Sequence, residues 1–496
     1  MDFHGSPRAR SPAGVKVRLP EEARPPFGPE GGVADMASQI DVTKLIDAQP
    51  VSRFLIGVVV LCALVTLADG YNITVIALAA PALRKAWHLE PTALAALLSS
   101  SLVAGLVGPF LFGLLSDRIG RRQAMIAATL LLGGFGIASG LCTSVSALVI
   151  MRFIAGVGMS GALAVTVAAA NEFAPRRLRA TIVTIVFSGT TIGSGLPGLV
   201  AGPLLARYPW PVLFYIGGVV PILLVPFIFR FLPESPKFLC LHPGRHEELG
   251  RLLRRFDPRL QVTAQTRFTL GEASAGGFPL AQLFVGRLAL LTPLLWLGSF
   301  LAQTVFFSFN NGLPILLTDA GVPFARASLA LAVFQFAGTL GGWSIMRPVD
   351  RFGMLPCTIL YVLGVPLVAS LGLPGSTGTP LMLLCAAAGF CVLGLHFAQV
   401  ACVSNIYPTA VRGFGVGWFM LFARTGGAIG PMVVGVLVGW HVSMRSLFAL
   451  LAAPLVVGIV ASIAVTLIYH AHYQRAPQTL PAPSGAGQEV QSETAI

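Results

Sequence analysis

Long apolar stretches, separated by short polar breaks, dominate the chain from residue 54 to residue 468. Stretches of roughly 18 to 25 residues match the length a helix needs to cross ~30 Å of hydrocarbon. Twelve can be drawn, at 54–79, 92–115, 123–142, 145–170, 181–205, 210–232, 287–312, 325–346, 354–373, 379–404, 413–438 and 444–468. They predict an all-α membrane protein of twelve transmembrane helices.

The pattern repeats. Displaced by 233 residues, without a gap, the chain sets Pro81 on Pro314, Gly105 on Gly338 and Gly108 on Gly341. Asp117, Arg118 and Gly120 fall on Asp350, Arg351 and Gly353; Gly156, Gly161 and Gly193 fall on Gly389, Gly394 and Gly426. Even with 55 glycines in 496 residues, chance supplies only one or two such coincidences, so a duplication is indicated. The expected layout is a cytoplasmic N-terminal tail (1–53, largely disordered), a six-helix bundle (54–232), a cytoplasmic linker (233–286), a second bundle (287–468) and a disordered cytoplasmic tail (469–496). Two pseudo-symmetric six-helix halves are a transporter architecture, with substrate held between them near the midplane.

Composition agrees. Hydrophobic residues make up 55%, charged residues 11%, and mean hydropathy is +0.79, values that exclude a soluble domain of this size. The net charge of +13 does not point to nucleic acid. Basic residues gather before Arg53, at Arg118–Arg122, at Arg176–Arg179, between Lys237 and Arg287, and at Arg347, Arg351 and Arg412, while the alternate loops hold few. That alternation puts both termini in the cytoplasm. Seven cysteines, mostly single within apolar runs, give neither a disulfide framework nor metal spacing. The basic, leucine-dotted stretch from Arg245 to Phe256 predicts a short helix on the membrane surface.

Gly113-Leu-Leu-Ser-Asp117-Arg118-Ile-Gly120-Arg121-Arg122 joins the second and third helices, and Asp350-Arg351-Phe-Gly353 is its abbreviated copy. A glycine turn there brings an acid and several arginines to two helix ends, where charge pairs can latch. The pattern resembles the signature loop of the major facilitator superfamily. Arg152-Phe-Ile-Ala-Gly156-Val-Gly158 is similar to its fourth-helix motif, and Pro233-Glu234-Ser235-Pro236-Lys237 to the close of its first half. Ile40–Asp47, Ala68-Asp69-Gly70-Tyr71-Asn72, Asn171-Glu172-Phe-Ala-Pro175 and Tyr407-Pro408-Thr409…Arg412 together resemble the aromatic acid:proton symporter family. In that family's first-helix motif a second acid usually stands where this chain has Asn72, which leaves proton stoichiometry and substrate range open.

An acid inside a membrane helix is a functional residue by default, and Asp69 is the proton-coupling candidate. The resemblance makes the first and fourth helices neighbours, so Arg152 is its expected partner: the guanidinium supports the charged carboxylate, burial opposes it, and substrate tips the balance. Arg424, whose repeat partner is Thr191, was added to one half only; a guanidinium grips a carboxylate bidentately. His396, opposite Leu163 in the repeat, suits donation to a phenol or proton transfer. Asn72, Gln303, Asn310, Asn311 and Gln335 are candidate substrate liners, with Tyr71, Phe306 and Phe307 for stacking on an aromatic ring. Asp117, Arg118, Arg121, Arg122, Glu172, Asp350 and Arg351 are the expected gating set.

Gly156-x-Gly158-x-x-Gly161 matches a dinucleotide fingerprint but lies in an apolar helix without the flanking strand and acid, so close helix packing explains it. No enzyme motif, cofactor or metal site is expected. The resemblance implies proton-coupled uptake of a benzoate- or hydroxybenzoate-like acid at a cell inner membrane, by a protein working as a monomer with protons, organic acid and bilayer as its partners. Two other readings stay open: transport of another small organic acid or metabolite, inward or outward, and a transporter-like sensor of aromatic acids.

Overall fold

Ser52, Gly120, Ser144 and Gly378 stand at the starts of four of the long helices, where the apolar runs are broken. The computed structural model describes residues 39–49, 51–256, 260, 266–270, 280–373, 378–408, 411–440 and 442–473, of which 39 and 469–473 by backbone alone. Most of both expected tails, residues 1–38 and 474–496, lies outside them, as does Thr409.

Part of the expected N-terminal tail is built into the fold. Gln39–Asp41 forms strand β1 and Val42–Ala48 helix α1, capped by the Asp41 carboxylate on the Thr43 and Lys44 amides. Six crossings follow: α2 (Arg53–Trp87), a broken second crossing of α3 (Pro91–Ala104) and α4 (Gly108–Ile119), α5 (Arg121–Gly140), α6 (Val145–Phe173), α7 (Arg179–Leu205) and α8 (Pro211–Phe231). The linker contributes α9 (Pro236–Leu241), α10 (His246–Leu253) and strand β2 (Arg267–Thr269), which pairs in parallel with β1. The second half is α11 (Leu288–Asp319), α12 (Phe324–Phe352), α13 (Leu355–Ser370), α14 (Thr379–Ile406), α15 (Arg412–Gly439) and α16 (Met444–Tyr473). Among the described residues, eleven of these twelve crossings are long and apolar enough to span a bilayer; α13 is apolar but only 16 residues long. Crossings alternate in direction, so the chain enters and leaves on one face, here the termini face.

The duplication is visible in the packing. In the first half α2 packs on α7, the α3–α4 crossing on α6, and α5 on α8; in the second α11 packs on α15, α12 on α14, and α13 on α16. Glycines that coincide in the repeat make equivalent contacts. A Cβ on Gly193 lies 2.0 Å from the Leu67 carbonyl oxygen and one on Gly426 lies 2.2 Å from that of Phe300; Gly156 and Gly389 approach the Ser101 and Phe334 carbonyls at 2.6 and 2.1 Å. In each case the contacted residues are also 233 apart. Only glycine lets the backbones come this close.

Two differences from the sequence pattern have local causes. The first helix continues beyond 79 to Trp87, where Arg84 and Lys85 sit in its last turn beside the partial negative charge of the helix end, and His88 closes it at φ 50°. The second crossing breaks because Pro109 has no N–H for the Gly105 carbonyl four residues earlier.

Candidate functional site

The halves meet along three seams: α2 with α11, α7 with α12, and α3 with α15. On the face opposite the termini, Arg84 of α2 bonds Asp319 of α11 at 2.7 Å. Deeper, Thr74 Oγ1 lies 3.4 Å from Asn310 Oδ1. Along the second seam Thr339 donates to Thr191 at 2.8 Å and the Trp343 indole N–H to Ser188 Oγ at 2.7 Å.

Between these seams lies a layer of buried polar groups. Asp69 is 1% exposed, and neither carboxylate oxygen has a hydrogen-bond partner. Uncompensated burial of such a group costs several kcal/mol, so its retention calls for a role. The charge that bears on it belongs to Arg424 of the other half, the two interacting electrostatically without closing to an ion pair. Arg424 is half-buried, and its Nη1 donates at 3.2 Å to the Gly105 carbonyl released by Pro109. His396 lies within the field of the same guanidinium, its buried Nδ1 without a partner.

The second half supplies most of the remaining polar wall. Gln335 donates to Asn310 Oδ1 at 2.8 Å, and Asn311 to the Phe307 carbonyl at 3.2 Å. Gln303 Oε1, Asn310 Nδ2, Asn311 Oδ1 and Gln335 Oε1 are buried without partners, as is Thr190 Oγ1 across the seam. Phe306 and Phe307 stand edge-to-face at 4.9 Å between centroids. This wall offers donors, acceptors and an aromatic surface.

Three expected site residues are placed elsewhere. Arg152 does not pair with Asp69: its Nη2 donates to the Asn72 carbonyl at 2.7 Å and its guanidinium stacks over Phe214 at 5.6 Å, leaving Nε and Nη1 without partners. Asn72 donates to the Ala68 and Gly217 carbonyls at 3.0 and 2.7 Å, and the Tyr71 hydroxyl reaches the Leu213 carbonyl at 3.3 Å. Both side chains therefore join α2 to α8, because Gly217 leaves the room they fill.

The gating set is joined within the first half. Arg121 pairs with Asp117 at 3.0 Å and Glu172 at 3.2 Å, and Ser235 donates to the second oxygen of Glu172. Glu234, 1% exposed, accepts from the Arg122 and Ser235 amides at 3.2 and 2.9 Å, placing its charge at the first turn of α5. Arg118 is exposed, and in the shorter copy Arg351 lies over Phe352 at 5.2 Å without pairing to Asp350. No hydrogen bond or ion pair among the described residues joins these two loops. Sequence reasoning passed over Glu234, though it stands in a quoted motif, and the Arg84–Asp319 pair, whose partners are far apart in the chain.

The family model described as "Major Facilitator Superfamily" matches residues 62–398 and 295–492. The chain belongs to the Major Facilitator Superfamily. The superfamily chain is 30% identical to the 4-hydroxybenzoate transporter PcaK of Pseudomonas putida, over 88% of its own length and 98% of that protein's. It is likewise 30% identical to a gallate transporter of the same species, over 88% and 97% of the two chains. Among solved structures, a bacterial homolog of the human lysosomal transporter Spinster, inward-facing and unoccupied, superposes with a TM-score of 0.66 at 16% identity, covering 87% of this chain and all of that one. Fold and relatives are those of Major Facilitator transporters, not of enzymes.

Proposed function

We propose that the protein takes up a small aromatic carboxylic acid, of hydroxybenzoate or benzoate type, together with protons. The observation that carries this reading is the opposition of Asp69 and Arg424 across the two halves, each short of polar partners. Arg424 receives the substrate carboxylate, exchanging its contact with the Gly105 carbonyl for a bidentate, charge-assisted one. Its positive charge is then compensated by the substrate, and Asp69, left without a countercharge in a poorly solvated site, takes a proton. The site thereby loads acid anion and proton together. His396 and the amides of Gln303, Asn310, Asn311 and Gln335 supply hydrogen bonds to ring substituents. The names of the relatives, which concern 4-hydroxybenzoate and gallate, support an aromatic substrate with hydroxyl groups.

Alternating access follows from the uneven seams. The Arg84–Asp319 pair holds the face opposite the termini, while the Asp117–Arg122 and Asp350–Arg351 loops exchange no bond on the termini face. With basic residues concentrated on the termini face, we place that face in the cytoplasm and the protein in a cell inner membrane. Arg152 and Asn72 belong to the supporting shell of α2 in this scheme, and Glu172 with Arg121 to the gate.

The test is uptake of labelled 4-hydroxybenzoate into proteoliposomes with and without an imposed inward proton gradient. Accumulation that follows the gradient in the wild type and disappears in Asp69→Asn is the expected result. Gradient-driven accumulation of equal size in the variant would remove Asp69 from the coupling step.

A further inference from the structure

Away from the central layer, a recess of about 230 Å³ opens on the termini face, where α8 ends and α10 lies against the start of α5. Arg122, Arg230, Arg251 and Arg255 line it, with Phe229 and Phe231 in its apolar wall. Its two acids do not neutralise these arginines. Glu234 serves the amides of Arg122 and Ser235, and Glu248 is paired with Arg245, outside the recess, at 2.7 Å. None of the four guanidinium groups is bonded to a carboxylate among the described residues.

Aromatic rings hold the guanidinium groups in place. Arg122 lies over Phe229 at 4.6 Å and Arg230 over Phe231 at 5.5 Å, while Arg255 lies over Phe54 at 5.7 Å. Arg122 Nη2 also donates to the Phe229 carbonyl, while Arg230 and Arg255 keep their N–H edges available, and groups held on rings lose less entropy when an anion binds. Phe227, Phe229 and Phe231 are 54%, 67% and 60% exposed in the last turns of a crossing helix, so they face hydrocarbon, and the recess sits at headgroup level beside them. Leu249, Leu252 and Leu253 bury the inner face of α10 and Arg251 stands on its outer face.

We infer that this recess binds a phosphate group, and that the group is the headgroup phosphate of an anionic phospholipid whose acyl chains lie along Phe227, Phe229 and Phe231. Four guanidinium groups against two carboxylates that bond elsewhere leave the recess net positive, which suits an oxyanion with several acceptors. A free phosphate satisfies the same donors, but it makes no use of the three exposed rings adjoining them.

The full-length protein, purified in detergent, is titrated separately with dioleoyl phosphatidylglycerol, dioleoyl phosphatidylcholine and inorganic phosphate, reading the thermal unfolding midpoint. Phosphatidylglycerol is expected to raise the midpoint saturably. The triple variant Arg230→Gln, Arg251→Gln, Arg255→Gln should require at least ~10-fold more lipid for half the effect, since it lacks three charge-assisted donors. Arg122 is left in place because it belongs to the gating loop. The corresponding triple Lys variant, which keeps the charge, should fall between the two and shows that the chain tolerates changes there. Equal effects of phosphatidylcholine and phosphatidylglycerol, or an unchanged titration in the Gln variant, overturn the site. Saturation by inorganic phosphate at the same midpoint, with no further gain from lipid, overturns the membrane source.

Discussion

Arg424 donates to the carbonyl of Gly105 at 3.2 Å, taking the place that a backbone N–H at position 109 leaves vacant because residue 109 is proline. The bond joins the eleventh crossing to the break in the second, so it links the two halves at the level of the candidate site. A substrate carboxylate that attracts this guanidinium loosens that link as it binds, which couples occupancy to rocking of the halves.

Replacing Arg424 separates charge from geometry. Arg424→Lys keeps a cation but loses the fork that meets a carboxylate twice. The KM for 4-hydroxybenzoate uptake is expected to rise about ten-fold or more, corresponding to about 1.4 kcal/mol, and Arg424→Ala is expected to abolish uptake. An unchanged KM in the Lys variant removes the clamp.

Neutralising Asp69 should uncouple transport rather than prevent binding. In Asp69→Asn, exchange of external labelled substrate for internal unlabelled substrate is expected to continue without a proton gradient, at a rate within a few-fold of wild type. Loss of exchange along with net uptake assigns Asp69 to substrate binding instead.

The Arg84–Asp319 pair is exposed on both sides, and pairs of that kind contribute about 0.2–1 kcal/mol. That is enough to shift a two-state balance by a factor of about 1.4 to 5. With the seven native cysteines replaced, labelling of a cysteine introduced at Ser328, on the α7–α12 seam, should rise by such a factor in Asp319→Asn; high salt, which screens the pair, should raise labelling of the protein with Asp319 towards the same level and leave the variant unchanged. Identical labelling in both proteins shows that the pair does not hold that face.

Equivalent glycines should fail equivalently. The Cβ atoms of Gly193→Ala and Gly426→Ala fall 2.0 and 2.2 Å from the Leu67 and Phe300 carbonyl oxygens. Each is expected to force its helix pair apart, destabilising by about 1–3 kcal/mol. Thermal unfolding in detergent measures it. Gly413→Ala, with open space around the added atom, serves as the control and should leave the midpoint unchanged.

The repeat was legible because its landmarks are contact points. Gly156, Gly193, Gly389 and Gly426 stand where one backbone lies against another, a constraint strict enough to survive after surrounding side chains diverged. Span lengths were legible because hydrocarbon thickness dictates them. Arg424 and His396 stood out because their repeat partners are Thr191 and Leu163, and the two lie close enough for the guanidinium charge to act on the imidazole. Partner choice was less legible. Neighbouring helices suggested Asp69 with Arg152, but adjacency does not give azimuth: Arg152 turns to Asn72 and Phe214, and the charge acting on Asp69 comes from the opposite half. Tyr71 and Asn72 were drawn to the site by proximity in sequence, yet neighbours on a helix point about 100° apart. The break at Gly105 was readable in Pro109, but its use by a residue more than three hundred positions later was not.

The short parallel pairing of Gln39–Asp41 with Arg267–Thr269 sets a leash on the motion of the halves. It ties the linker to the segment that enters the first bundle, so the connection to the second bundle effectively starts at Thr269 rather than at Pro233. From there to Leu280, where the next described turn of helix begins, a fully extended chain reaches at most about 40 Å. A two-part machine whose connector is pinned in this way has a mechanical stop: lengthening the connector alters how far the halves swing without touching any residue that meets the cargo.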